Sequence, residues 1–145
     1  MIFRGRYRYN SGAHRPFLTA YILASGGRWI RYAFLLDTGA DVTFLPYRAM
    51  RALEIDVSRV EVRDDVGGIG GYGIPYISYA TEIRLVSPTG ARVFGGTVNV
   101  FLDLHATDVP LLGRDVLDNF VCIFDRAKSE ILLLDTPDTY QVVSG

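Results

Sequence analysis

Hydrophobic and polar residues alternate along much of this chain, which is the pattern of β-strands that bury one face. The segments 17–24 and 29–36 are rich in apolar, aromatic and β-branched residues. Gly26-Gly27 between them predicts a hairpin turn, because glycine tolerates the backbone angles that such turns require. Further strands are predicted over 59–66, 74–86, 91–104 and from 109 onward, with a final hairpin over 121–135 that turns at 126–129.

The strand pattern has few interruptions. Pro46 opens a short helical pattern over 46–56, since proline is well tolerated at the first position of a helix. The segment 109–120 runs from a strand into a second short helix. We also expect a turn at 87–90 and a bulge at Gly95-Gly96. About nine short strands with one or two short helices predict an all-β protein built as a closed β barrel.

The composition is that of one folded domain. With 145 residues, 49% of them apolar, the chain can bury a core but is too short for two lobes of ordinary size. We therefore treat 1–145 as a single domain, with an amino-terminal arm (1–16), a core (17–135) and a tail (136–145). The formal net charge of −1 gives no reason to expect a nucleic acid or a membrane as partner.

Arginines crowd the beginning of the chain, at Arg4, Arg6, Arg8 and Arg15. Two interpretations fit them: a solvated arm or edge strand, which we favour, or a binding patch.

The few cysteines and histidines in the sequence limit which kinds of bond and catalytic site the protein can contain. Cys122 is the only cysteine, so no internal disulfide can form. No secretory leader or membrane span is evident, and these features together predict a cytoplasmic protein. His14 and His105 lack the spacing of metal ligands, so we expect neither a metal nor a cofactor. No serine or cysteine has the context of a nucleophile, which disfavours a nucleophilic hydrolase.

The sequence FLLDTGADVTFLP (34–46) places an acid directly after a hydrophobic strand. Such an acid is costly unless it is hydrogen-bonded or functional. Taken alone, Asp37-Thr38-Gly39 fits an ordinary β-turn as well as it fits a functional site.

Three motifs in a fixed order give the chain a family resemblance. LLDTGA (35–40), VGGIGGYG (66–73) and PLLGRDVL (110–117) resemble the active-site turn, the flap tip and the Gly-Arg-Asp segment of the retropepsins and their single-domain bacterial relatives. The resemblance implies an aspartic endopeptidase of the retropepsin barrel fold. Since the chain holds only one Asp-Thr-Gly, it also implies a homodimer in which each subunit supplies one catalytic aspartate.

The resemblance assigns roles within the turn. Asp37 would be the catalytic residue and would activate a water molecule together with Asp37 of a second copy. Thr38 would hydrogen-bond across to the partner's turn, and Gly39 would let substrate approach the backbone. Ala40 has no hydroxyl to donate to the carboxylate, so we expect activity nearer neutral pH. Asp41 would form a partly buried ion pair with Arg114, so that Arg114→Ala weakens dimerisation or activity.

Other segments would surround the substrate or brace the turn. The flap would consist of Gly67, Gly68, Ile69, Gly70 and Gly71. The competing interpretation of this segment, a phosphate-binding loop, is disfavoured because it lacks a lysine and opens no helix. Residues expected to support the turn are Gly113, Arg114 and Asp115. Apolar residues expected to line the cleft beside Ile69 are Val42, Val109 and Leu111.

A second hypothesis comes from a different class of function. The chain could form a retropepsin-like dimer that binds peptides or scaffolds partners without cleaving them, because a fold can persist without its chemistry. In either case the dimer needs more surface than the catalytic turn offers. We expect it from VCIF (121–124), EILLL (130–134) or the amino-terminal arm.

Overall fold

The computed structural model describes residues 1–67 and 73–144. This part of the chain forms ten strands and two four-residue helices, with one short 3-10 turn at Val57–Arg59. The strands are β1 Ile2–Asn10, β2 Ala13–Leu23, β3 Trp29–Leu36, β4 Phe44–Leu45, β5 Val62–Gly67, β6 Gly73–Ser87, β7 Gly90–Phe101, β8 Leu111–Leu112, β9 Val121–Asp125 and β10 Glu130–Leu134. The helices are α1 Ala49–Ala52 and α2 Arg114–Leu117.

All ten strands belong to one sheet, in the order β5-β6-β7-β4-β8-β3-β2-β1-β10-β9. A further pairing between β2 and β6 closes six of these strands into a ring. The two short strands β4 and β8 link β7 to β3 within this ring. The all-β class with short helices, predicted from the sequence, is confirmed.

The core lies on the inner face of the ring. Alternate residues of β2 and β3 face it, as their pattern predicts: Leu18, Ala20 and Ile22 are buried, and so are Phe34 and Leu36. The β2–β3 hairpin turns at the predicted glycines, and Gly27 adopts a positive φ of 88°. The last hairpin, β9–β10, also turns where predicted, with the Ser129 amide donating to the Arg126 carbonyl at 3.1 Å.

The amino-terminal segment is an integral part of the sheet. β1 pairs with β10 through its first half (2–5) and with β2 through its second half (6–10), so its backbone is part of the sheet although its arginines are exposed. Phe3 is 1% exposed, and its ring meets the ring of Phe120 edge-on with 5.6 Å between centroids. The arginines had suggested solvation, but they occupy alternate positions, and the residues between them face the protein.

Two local predictions were wrong. The first helix occupies Ala49–Ala52 and not 46–56. It ends early because the next residues reverse direction, with Glu54 at a φ of 56°. No bulge occurs at Gly95-Gly96, since β6 and β7 stay in register from Tyr76↔Phe101 to Ser87↔Gly90. The irregularity instead lies in the pairing of β5 with β6, between Arg63 and Val66.

The burial of Phe3 leads to a test of the role of β1. Phe3→Ala should lower the free energy of unfolding by about 3–5 kcal/mol, because it removes a fully buried aromatic ring. Tyr9→Ala, on the exposed part of the same strand, serves as the control and should change stability little. Denaturant titration of both variants measures the difference. Equal stability would mean that β1 is a dispensable arm.

Candidate active site

Asp37 follows the last residue of β3 and is held in place by β8. The two strands run parallel, with Leu35 opposite Leu111 and Leu36 opposite Leu112. The Asp37 amide donates to the Leu112 carbonyl at 3.0 Å, which extends this pairing by one residue. The sheet therefore determines the position of the Asp37 backbone, to which the carboxylate is attached.

The turn after β3 is stabilised by its own hydrogen bonds. The Gly39 amide donates to Oδ1 of Asp37 at 3.0 Å, and the Ala40 amide donates to the Asp37 carbonyl at 3.2 Å. Asp37 is half-buried, while Thr38 and Gly39 are exposed. Within the described residues, Oδ2 of Asp37 accepts no hydrogen bond, so one carboxylate oxygen is available to a water molecule or to a second carboxyl group.

Behind the turn, a buried threonine joins β4 to α2. Thr43 is 0% exposed, and its hydroxyl donates to Oδ1 of Asp115 at 2.9 Å while accepting from the Gly113 amide at 3.2 Å. The Thr43 amide donates to Oδ2 of Asp115 at 2.9 Å. The carboxylate of Asp115 is thus occupied by structural hydrogen bonds, which include one from the Val116 amide at 3.0 Å.

Sequence reasoning did not single out Thr43. Its position could have indicated a structural role, because Thr43 is a polar residue inside the apolar run after Asp41. A hydroxyl buried in such a run needs hydrogen-bond partners.

Arg114 connects the turn to α2 in two ways. Its amide donates to the Ala40 carbonyl at 2.8 Å, and its guanidinium pairs with the carboxylate of Asp41. The side chains of Arg114 and Asp41 are 49% and 78% exposed, so this is a solvated pair and not the partly buried one that was expected. Such pairs contribute about 0–1 kcal/mol, and the backbone hydrogen bond is the firmer link.

Gly113 lies against the backbone of the turn. A Cβ atom at this position would be 2.5 Å from the Val42 carbonyl oxygen and 2.9 Å from the Ala40 carbonyl oxygen. Any side chain would therefore push the Asp37 turn away from α2.

The predicted lining residues lie in two places. Val109 and Leu111 line one concavity of about 470 Å³, together with Leu35 of β3. Val42 lines a separate concavity with Val116. Val42 and Leu111 nevertheless pack against the same aromatic cluster.

An aromatic cluster that the sequence analysis missed supports this region. The rings of Phe44 and Phe101 stack with 4.5 Å between centroids, and Tyr76 packs edge-on against Phe44. Val42 and Leu111 pack against this cluster, which fixes the apolar wall beside the turn. The three rings come from β4, β6 and β7, so no local sequence pattern links them.

The predicted flap lies largely outside the described residues. Gly67 is the last residue of β5, and Gly68, Ile69, Gly70 and Gly71 fall in the undescribed stretch. The strands that lead into and out of it, β5 and β6, are antiparallel neighbours, with Gly67 opposite Gly73.

Other chemistries find little support among the described residues. No group of three or more histidine, cysteine or acidic side chains is placed to hold a metal ion. Burial, and to a lesser extent the charge of Asp118, raises the pKa of the Cys122 thiol, which disfavours the nucleophilic thiolate. None of the helices found in 1–67 and 73–144 is long and apolar enough to cross a membrane.

Comparison with known proteins gives matches in structure only. No family model matches the sequence, and no curated protein matches it. A retropepsin-like aspartic protease from Rickettsia conorii matches with a TM-score of 0.62 and 19% identity, over 92% of this chain and 91% of that one. EIAV protease, complexed with the inhibitor HBY-793, matches with a TM-score of 0.51 and 26% identity, over 77% of this chain and 91% of that one. The fold that the sequence motifs predicted is confirmed.

The hydrogen bonds of Thr43 lead to a second test. Thr43→Val keeps the size of the side chain but leaves Oδ1 of Asp115 and the Gly113 amide without this partner, which should cost about 1–3 kcal/mol of stability. Thr97→Val is the control, because Thr97 is exposed and makes no hydrogen bond through its hydroxyl in the described structure. Thermal melts of both variants measure the effect, and equal midpoints would show that the buried hydroxyl is not a structural link.

Proposed function

We propose, since this chain has the retropepsin-like fold, that it is an aspartic endopeptidase that uses Asp37 as its catalytic residue. The observation that carries the proposal is the position of the Asp37 turn. It lies at the end of β3, anchored to β8 and α2, with one carboxylate oxygen held by the Gly39 amide. The flap role of Gly67, Gly68, Ile69, Gly70 and Gly71 belongs to the same proposal.

Peptide hydrolysis at such a site needs two carboxyl groups that share one proton. Two carboxylates this close repel each other, so one of them keeps a proton. The ionised group takes a proton from a water molecule as the water oxygen attacks the carbonyl carbon, and the neutral group gives its proton to the carbonyl oxygen. The tetrahedral intermediate then collapses, the C–N bond breaks, and the leaving nitrogen receives a proton from the dyad.

The second carboxyl group is best supplied by another copy of the chain. Two other acids that contact the turn region have partners of their own, since Asp41 pairs with Arg114 and Asp115 with Thr43. A two-fold axis beside Asp37 would bring the same turn from both copies together. Thr38, which is exposed beside Asp37, would then bind the partner's turn.

The strand β9 is the most suitable surface to extend such a dimer. Among the described strands it pairs only with β10, at the edge of the sheet, and its Val121 and Phe124 are 43% and 39% exposed. The sequence candidate EILLL (130–134) is less suitable, because β10 already has a partner on both sides and buries Ile131 and Leu133. Two copies of β9 can pair antiparallel across the axis and join both sheets.

The substrate in this proposal is a peptide with apolar residues beside the cut bond. Val109 and Leu111 share one concavity with Leu35, two residues before Asp37, and Leu111 pairs directly with Leu35; Arg15 and Asp108 also line this concavity. The alternative is a catalytically silent dimer that binds peptides on the same surface. It differs from the protease only in that the peptide bound beside Asp37 is not cleaved.

Substitution of the catalytic carboxylate separates the two functions. Asp37→Asn should abolish cleavage of a mixed peptide library between mildly acidic and neutral pH, because the amide cannot take the proton from water. The fold and the dimer should persist, since asparagine keeps the acceptor oxygen for the Gly39 amide. Thr97→Val, purified in the same way, is the control and should cleave peptides like the unaltered chain. Cleavage at the normal rate by the purified Asp37→Asn variant refutes the assignment, and peptide binding without cleavage by the unaltered chain favours the silent dimer.

The dimer leads to its own test. Phe124→Glu should weaken dimerisation, because it places like charges near each other where the two β9 strands meet. When the variant is diluted, its activity per subunit should therefore begin to fall at a higher protein concentration than that of the unaltered chain. Val57→Glu, an exposed apolar-to-acid change elsewhere, should have no such effect. Sedimentation and activity are measured over the same dilution series. Constant activity per subunit in a demonstrably monomeric sample would place both carboxylates in one chain.

A further inference from the structure

One face of the sheet formed by β1, β2 and β3 carries a group of arginines that the catalytic proposal does not use. Arg4, Arg6 and Arg8 alternate along β1, so their side chains share a face. Directly paired residues of antiparallel strands also share a face, which places Arg15 of β2 beside Arg8. The register of β2 with β3 puts Arg31 on the same side. Five arginines therefore project from three neighbouring strands.

Most of this positive charge is not neutralised within the described chain. Arg4 pairs with Glu130, but Arg6, Arg8 and Arg31 have no ion pair among the described residues and are exposed. The guanidinium of Arg8 lies 5.1 Å from the centroid of the Phe17 ring, which holds it over the sheet. The formal net charge of the protein is −1, so this is a local concentration of charge.

Four of these five arginines, all but Arg15, border a groove of about 570 Å³, which we call the arginine groove. Its residues are Arg4, Gly5, Arg6, Arg8, Phe17, Thr19, Arg31 and Ala33.

The arginine groove leads toward the candidate active site. A second concavity shares Arg8 and Arg31 with it and extends to Val109. Val109 in turn lines the concavity that contains Leu35 and Leu111. A molecule that occupies the site beside the Asp37 turn could therefore continue along the surface into the arginine groove.

The second concavity also reaches the edge of a strand. It is lined by the consecutive residues Arg31, Tyr32 and Ala33, whose side chains alternate between the two faces, so the surface touching all three includes the strand edge. On this side, β8 pairs with β3 only at Leu35 and Leu36. An open backbone edge favours an extended peptide, which can add to it as a strand, over a nucleic acid, which cannot.

We infer that the arginine groove binds an acidic segment of the polypeptide substrate, in an extended conformation, while the apolar residues beside the scissile bond occupy the site at Asp37. This inference rests on the proposed function, because it names the class of substrate for that site. Alternate arginines on β1 are spaced about 7 Å apart, which matches the spacing of alternate side chains in an extended peptide.

The geometry also indicates where the acidic segment lies. Arg31 is four residues from Leu35 along β3, about 13 Å, and Arg6 lies two strands across from Leu35, about 10 Å. At about 3.3 Å per residue, the acidic side chains fall about three to four residues from the apolar residues at the cut bond.

The two-fold axis of the proposed dimer leaves this face open. A symmetric contact places the same patch of both copies against each other. Such a contact centred on the arginine groove would set its unpaired arginines against themselves, and like charges in contact are unfavourable. A two-fold contact centred on the arginine groove is therefore unfavourable, which leaves the groove available to substrate in the proposed dimer.

Binding is tested first, with a chain that cannot cleave. The full chain carrying Asp37→Asn is titrated into a labelled peptide in which glutamate alternates with alanine, into the same peptide with glutamine for glutamate, and into labelled oligothymidine. Arg6→Gln combined with Arg8→Gln should weaken binding of the acidic peptide about tenfold or more. The control combines Arg28→Gln with Arg51→Gln, two exposed arginines outside the groove, and should bind like the parent.

Three results overturn the inference: equal losses in both double variants, equal affinity for the glutamate and glutamine peptides, or tighter binding of the oligonucleotide. Thermal melts of all variants establish that they are folded.

Cleavage then separates this inference from the proposed function. With the active chain, a cleaved apolar peptide that is extended by the acidic segment should show a lower KM and an unchanged kcat, and the Arg6 and Arg8 substitutions should remove the gain. If the peptide extended with glutamate and the peptide extended with glutamine have the same KM, the groove does not bind an acidic segment, although the protein is a protease. If no peptide is cleaved but the acidic peptide binds as described, the proposed function fails and the groove remains a peptide-binding site.

Discussion

The candidate site depends on the parallel pairing of β3 with β8, two short stretches that lie far apart in the chain. This pairing sets the backbone position of Asp37 through the Leu112 carbonyl and places Leu35 beside Leu111. It persists because β8 leads directly into α2, whose first residues bind the Ala40 carbonyl and the hydroxyl of Thr43. A catalytic carboxylate needs such a support, since small displacements of a reacting group are costly.

The polar groups behind the turn form a connected set of hydrogen bonds, in which Thr43 and Asn99 are buried. Thr43 connects Asp115 and Gly113, and its carbonyl accepts from the Asn99 amide at 3.0 Å. Asn99 in turn accepts from the Ser78 hydroxyl at 2.8 Å, which carries the connection across β7 to β6. Buried polar groups with all partners present favour one arrangement of the core over others, because an alternative arrangement would leave some of them unpaired. The Asp37 turn is thus tied to the long hairpin β6–β7 as well as to α2.

The two sides of the sheet β1–β2–β3 have different roles. The inner side supplies core residues such as Leu18 and Phe34, while the outer side carries the arginine groove and, at its far end, Leu35 beside the Asp37 turn. The same strands therefore position the Asp37 turn and present the charged surface that leads to it. Because both features lie on one rigid sheet, a substrate bound along the groove would meet the turn in a defined register.

The sequence alone determined the fold class, the two hairpins at Gly26-Gly27 and Arg126–Ser129, and the place of the Asp37 turn after a buried strand. These follow from periodicity and turn chemistry, which are local properties. Only the tertiary structure decided that the arginine-bearing segment pairs with both β10 and β2, that Thr43 links β4 to Asp115, and that Phe44, Tyr76 and Phe101 form one wall. It also decided that Val42 and Leu111 pack against this wall, and that the Arg114–Asp41 pair is exposed in the single chain. Each of these outcomes depends on which strands become neighbours and on how much of each side chain stays exposed to solvent. The spacing of residues along a single strand encodes neither the neighbours nor the exposure.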